Sequence, residues 1–404
     1  MHWQRVVKKI IFPFISLCLL PIREIVKKKN VIILQAHDRH SYCNNTRYLH
    51  DFLAQKPEFD IYWVTDNTEI KHYMESKGWR YITWHNPVKM IQVALRAKII
   101  VDNGGGFFDA FHLARTKSVF KVCIGHGSGP KATLGRSQNI MTTVKQILDI
   151  NEFDYVSFPA DYFSEEMGKK TYFLPNEKII KFGYPRCDAF FNAEYVESAY
   201  QAKEVTKALQ PLIGDQDKVV LYTPTWRPYN YVFPLLEMPG FSFEAFNTWL
   251  KTHKMFFFFT VHPNLFPENI PQDLDQIMFI NPDLNPLFDV NRMMLETDVL
   301  VNDYSTTSTD FSILKRPQIF YMPDYDYYDA EKCFIEPYRE SMPGKEVADY
   351  DEFKSSLLEA VNSPKDYVYK YSEQIKLLQS RYYDVNLRNS TEELYRFFVR
   401  LCKV

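Results

Sequence analysis

The chain has 404 residues, 46% of them hydrophobic and 24% charged, a balance that supports two ordinary globular domains and excludes a disordered scaffold. Lys and Arg number 48 against 50 Asp and Glu, a formal charge of −2, so no basic surplus argues for nucleic acid as a partner and any anion site must be local. The six cysteines are scattered without a CxxC pair, which excludes a zinc ribbon or a thioredoxin-type motif and suits a reducing compartment.

At the N-terminus, Ile10 to Ile22 is apolar and is flanked by Arg5, Lys8 and Lys9 on one side and by Arg23, Lys27, Lys28 and Lys29 on the other. A bilayer span needs about 20 apolar residues, and Pro13 and Pro21 disfavour a membrane helix. No small-x-small cleavage pattern follows, as a signal peptide requires. Two readings stay open: an interfacial anchor whose basic flanks meet anionic lipid, and a buried N-terminal helix with a solvated basic end.

From residue 31 onward, short apolar runs alternate with segments of helical period, the pattern of a parallel α/β sheet. The first half predicts strands at Val31–Gln35, Ile61–Thr65, Arg80–Thr83, Lys98–Asp102, Val119–Ile124, Tyr155–Phe158 and Ile179–Phe182. The pattern restarts near residue 210, with strands at Val219–Thr223, Phe256–Val261, Ile277–Ile280, Val299–Asn302 and Gln318–Tyr321 and helices at Phe243–His253 and Asn291–Glu296 between them. We therefore expect two doubly wound, Rossmann-like domains facing a cleft, at 30–210 and 211–365, after an N-terminal segment at 1–29 and before a helical tail at 366–404. In such sheets ligands bind beyond the carboxyl ends of the strands, so polar residues that follow strands are the candidates.

Five stretches meet that condition. Gly125-His126-Gly127-Ser128-Gly129-Pro130-Lys131 surrounds one His with glycines that cannot pack a core, which favours an uncovered catalytic base over a structural His. His262 follows the apolar run Phe256–Phe259 and precedes Pro263; a phosphate donor and a helix cap are both open there. Asn302-Asp303-Tyr304 leads into five consecutive hydroxyl residues, Ser305 to Thr309, more than one helix cap requires, and a helix start of this kind suits an anion. Thr225 and Arg227 lie just past another strand and offer a hydroxyl and a cation to phosphate. Gly183 to Asp188, with Arg186 and Asp188, is the fifth. His37-Asp38-Arg39-His40 lacks further ligands of suitable spacing, so we expect no metal there and no resident cofactor.

Taken in order, GHGSGPKATLG (125–135), GYPRCD (183–188), YTPTWRP (222–228), VHP (261–263) and NDYSTTSTDFSILKRPQIFY (302–321) resemble the CDP-glycerol glycerophosphotransferases that build teichoic acids and related capsules. The resemblance runs from about residue 41 to 345 and takes in Ser41 to Asn45 and Met342-Pro343-Gly344. It implies a glycosyltransferase-B-like fold, peripheral attachment to the cytoplasmic face of a bacterial membrane, a CDP-glycerol donor, and a lipid-linked or polysaccharide acceptor. By position it implies that His126 is the base, that His262 lies near the donor phosphates, and that Ser305 and Thr306 bind the pyrophosphate. With Arg227, Thr225 and Asp303 these residues form the expected donor side, and Gly127, Ser128, Lys131, Arg186 and Asp188 the acceptor side or its loop. Rival expectations are a CDP-ribitol-dependent homologue, a sugar-nucleotide glycosyltransferase in the same cleft, and a catalytically silent membrane-associated scaffold.

Overall fold

The computed structural model describes residues 18–36, 40–104, 118–132, 140–191, 217–225, 227, 234–260, 274–280, 285–332 and 334–403. The expected domain boundary near residue 210 and most of the N-terminal apolar segment lie outside these residues, as does His262.

Each of the twelve predicted strands is present. The first sheet contains β1 (Val31–Leu34), β2 (Asp60–Val64), β3 (Arg80–Ile82), β4 (Ala97–Asp102), β5 (Phe120–Cys123), β6 (Tyr155–Ser157) and β7 (Ile179–Ile180) in the order β3-β2-β1-β4-β5-β6-β7. The second contains β8 (Lys218–Thr223), β9 (Met255–Thr260), β10 (Ile277–Ile280), β11 (Val299–Asn302), β12 (Gln318–Phe320) and β13 (Lys345–Glu346) in the order β10-β9-β8-β11-β12-β13. All pairings are parallel. Strand order reverses between β1 and β4 in one sheet and between β8 and β11 in the other, and each reversal opens a crevice at the carboxyl edge.

These strands read clearly because both faces of each sheet are covered. In β9 all five residues Met255 to Phe259 are buried: Phe257 and Phe259 pack with Phe246 and Phe353, and Phe256 and Phe258 with Leu300 and Phe311. The exception is β13, two polar residues that no apolar run announces. Its place depends on Gly344, where a Cβ would lie 1.9 Å from the Gln318 carbonyl oxygen, so the Pro-Gly of that segment serves a close backbone approach.

The tail returns to the first domain. The helix Ser372–Tyr382 buries Leu378 and Tyr382 against Phe153, Phe158 and Phe163, while Gln379 Nε2 donates to the Ser312 carbonyl of the second domain at 2.8 Å. The last helix, Ser390–Cys402, inserts Leu394 and Phe398 among Ile32, Leu34, Ile99 and Val101 of the first sheet.

Asp188 caps that last helix from a distance, accepting from the amides of Ser390 at 2.9 Å and Thr391 at 2.8 Å. Burial pushes its carboxyl up to about 6 against the pull of these hydrogen bonds. A carboxyl raised in the fold binds its proton more tightly folded than unfolded, so its contribution to stability falls as pH rises from about 4 to about 6 and is level above that. Thermal melts over this range should show the native chain losing stability relative to Asp188→Asn, whose side chain does not titrate; parallel curves would remove Asp188 as the source.

Candidate active site

The carboxyl edges of the two sheets meet around a cavity of about 480 Å³. Asn103 and Gly104 after β4 line it from the first domain, with the loop from Gly125 to Lys131 after β5; Pro224 and Thr225 after β8 and Ser305 and Thr306 after β11 line it from the second.

The His126 loop leaves the buried strand through Gly125, whose φ of +66° is a left-handed conformation that side-chain-bearing residues rarely adopt. Asn45 Nδ2 donates to the carbonyls of Gly125 at 2.9 Å and Ile124 at 3.3 Å, and Asn44 Nδ2 reaches the His126 carbonyl at 3.4 Å. His126 Nδ1 lies 3.0 Å from the Asn103 carbonyl oxygen. A carbonyl only accepts, so the neutral ring carries its proton on Nδ1 and its lone pair on Nε2. The flanking glycines have a second purpose: a Cβ on Gly127 would sit 2.8 Å from Thr306 Oγ1, and one on Gly129 3.0 Å from Thr306 Cγ2. Their bareness lets the domains close on one another. Ser128 is buried, and Lys131, which lines the cavity, bridges through its backbone to Phe334.

In the second domain the five hydroxyl residues divide. Ser305 and Thr306 line the cavity, Thr307 Oγ1 lies 2.7 Å from Thr223 Oγ1, and Ser308 and Thr309 are buried in a helix of six residues, Thr307–Ser312. Thr225 holds its amide 3.0 Å from both carboxylate oxygens of Asp303, and its buried Oγ1 has no hydrogen-bond partner among the described residues.

Four expected contact residues are instead internal supports. Arg227 is buried and spends its guanidinium on Asp303 at 2.7 Å and on Asp324 through two contacts at 2.6 and 2.9 Å; it and Asp303 brace the loops that carry Thr225 and Ser305. Arg186 is likewise buried and forms a bidentate pair with Asp310 of the second domain, at 2.8 and 3.0 Å, while its third nitrogen donates to Asn44 Oδ1 at 3.0 Å. Asn291 Nδ2 at 3.0 Å and the Tyr383 hydroxyl complete the Asp310 carboxylate. With Asp188 capping the tail, the Gly183–Asp188 segment ties domains and tail together rather than facing an acceptor. Sequence reasoning from the residues alone missed Asn44, Asn45 and Asn103; two consecutive asparagines at a helix start were the available signal.

Replacing both Ser305 and Thr306 with Ala removes two hydroxyls and keeps the backbone donors. Calorimetry with CDP should show a partial loss, about 1–3 kcal/mol in total. Unchanged affinity would assign both to capping.

The profile of the family described as CDP-Glycerol:Poly(glycerophosphate) glycerophosphotransferase matches residues 18–400. The chain is 25% identical over 343 residues to the teichoic acid ribitol-phosphate polymerase TarK of Staphylococcus aureus, covering 82% of this chain and 62% of that protein. It is 26% identical over 321 residues to the teichoic acid glycerol-phosphate primase of Bacillus subtilis, covering 78% and 76%. It thus spans less than two thirds of the length of TarK and, at 57%, of TarL. Among solved structures, the wall teichoic acid polymerase TagF superposes with a TM-score of 0.75 at 19% identity, over 93% of this chain and 90% of that one. A UDP-GlcNAc 2-epimerase from Neisseria meningitidis gives 0.55 at 13%, over 92% and 99%. Both likenesses concern the fold, a glycosyltransferase-B-like pair of α/β domains. Since the profile runs through both sheets, the cavity between them and the returning tail, the chain belongs to the CDP-glycerol:poly(glycerophosphate) glycerophosphotransferase family.

Proposed function

We propose that the protein transfers glycerol phosphate from CDP-glycerol to an acceptor hydroxyl, releasing CMP, in the synthesis of a teichoic-acid-like or capsular polymer. One observation carries this reading: His126, with its proton on the far nitrogen, shares a single cavity with the hydroxyls of Thr225, Ser305 and Thr306 from the opposite domain. In the proposed step the acceptor oxygen bonds to the distal phosphorus and its proton passes to His126 Nε2. The bridging P–O bond breaks and CMP leaves. Catalysis of this kind rests on positioning and charge stabilisation, and the three hydroxyls, Lys131 and His262 are the groups we assign to the phosphates. Nucleotide release measured with CDP-glycerol, CDP-ribitol and UDP- and GDP-sugars tests it: CMP release from CDP-glycerol is expected, and UDP or GDP release alone would overturn it. CDP-ribitol is the second donor to weigh, because both TarK and TarL are named as ribitol-phosphate polymerases.

We assign the acceptor to a lipid-linked or polysaccharide polymer met at the cytoplasmic face of the membrane by peripheral contact. Among the described residues no helix is long and apolar enough to cross a membrane. Ile25 is 83% exposed, and the helix Ile140–Asn151 exposes Ile140, Met141, Val144 and Leu148 along its length. Lys28 and Lys29 are tied to Leu95 and Arg96 of the first domain, so removal of residues 1–26 should spare the fold. The truncated protein should bind phosphatidylglycerol vesicles more weakly and keep its activity on a soluble acceptor. Aggregation of the truncated form, with no vesicle binding by the intact chain, would make the segment part of the core.

A further inference from the structure

The cavity extends past His126 into the first domain, between Ile150, Val156, Phe158, Phe163, Met167 and Tyr172. Protein interiors leave few voids larger than a water, so an open lobe between the buried Val156, Phe158, Phe163 and Met167 and the half-buried Ile150 and Tyr172 calls for an occupant. Met167 reaches the lobe from Ser164–Thr171, a π-helix. That winding is rare and concentrates at functional sites. At the His126 end, Asn103 is fully buried: its Nδ2 donates to Thr46 Oγ1 at 3.0 Å, and its Oδ1 has no hydrogen-bond partner among the described residues. Among the described residues of the lining, Lys131 is the one lysine, arginine, aspartate or glutamate.

We propose that this lobe is the acceptor subsite and that it takes a neutral ring with an apolar face, a glycoside, in preference to an anionic polyol-phosphate end. The proposal rests on the transferase reading above and specifies its second substrate. A phosphate placed among Phe158, Phe163 and Met167 would be desolvated, and among the described residues of this lobe no cation stands to meet it. A pyranose ring carries a C–H face that matches aromatic and aliphatic walls. One of its hydroxyls donates to Asn103 Oδ1, which removes the orphaned acceptor, and a neighbouring hydroxyl is then next to His126.

Binding of phenyl β-D-glucopyranoside and of glycerol 3-phosphate to the full chain, followed by calorimetry or saturation-transfer NMR, tests this without any turnover. The glycoside should bind in preference to glycerol 3-phosphate. Ile150→Trp, at a half-buried helix position on the lobe wall, should weaken the glycoside at least tenfold and leave CDP affinity within twofold; Ile150→Glu serves if the larger side chain lowers the melting temperature. Equal glycoside affinity in native and variant chains, preferred binding of glycerol 3-phosphate, or a matching loss of CDP affinity would each overturn the proposal. Because the readout is binding, a failure to release CMP from CDP-glycerol counts against the donor reading alone.

Discussion

Replacing His126 with alanine should lower turnover by at least about 100-fold while CDP still binds, since general-base catalysis is worth typically 10²–10⁴-fold. The ring is exposed at the cavity and holds the Asn103 carbonyl through Nδ1 at 3.0 Å, so its removal takes no buried side chain out of the core. Single-turnover CMP release at saturating donor separates the chemical step from binding. A variant that keeps near-native turnover would take His126 out of the base role, whereas one that loses CDP affinity in proportion would make it a donor-binding group.

Arg186→Ala carries the largest expected effect on stability. The substitution leaves the Asp310 carboxylate buried at the domain contact with Asn291 and Tyr383 but without its cation. Breaking one side of a buried pair costs about 3–5 kcal/mol. Chemical denaturation should show that loss, and Arg186→Lys should recover only part of it because an ammonium cannot bond both carboxylate oxygens and Asn44 together. A melting curve unchanged by Arg186→Ala would mean that the two domains are held by other contacts. Activity should fall with stability here, because Gly127 and Gly129 pack against Thr306 across the same pair of domains.

The central strands of this protein were legible because they are covered on both faces and so read as apolar runs; β9, with four consecutive phenylalanines, is the extreme, and the short polar edge strand β13 shows the converse. The site was legible only in part, and the division has a physical cause. A charged residue after a strand looks the same in a sequence whether it meets a ligand or a partner side chain. Arg227 and Asp303, 76 positions apart, and Arg186 and Asp310, 124 apart, neutralise one another, and nothing in either local sequence discloses the pairing. The Gly125–Gly129 loop was easier to read, because glycines around an isolated His leave it nothing to pack against. Even there the structure adds a reason that periodicity does not contain: Gly127 and Gly129 make room for a threonine from the other domain. Asn45 donates to a backbone carbonyl of the loop, and Asn103 accepts from the His126 ring through its own backbone carbonyl, a role that leaves no pattern in residue type.

The return of the tail bears on how the protein comes to be made. Leu394 and Phe398 belong to the core of the first sheet, yet they are translated only after the whole of the second sheet. Until then the surface they cover, around Ile32, Leu34 and Ile99, has no lid, and the N-terminal half must wait through synthesis of the entire second domain before it is closed. The two domains are therefore separable in architecture but not in assembly. A nascent chain stalled before residue 390 would carry an exposed apolar face and draw chaperones or proteases, so loss of the helix Ser390–Cys402 would be felt in the first domain, which is translated before the second.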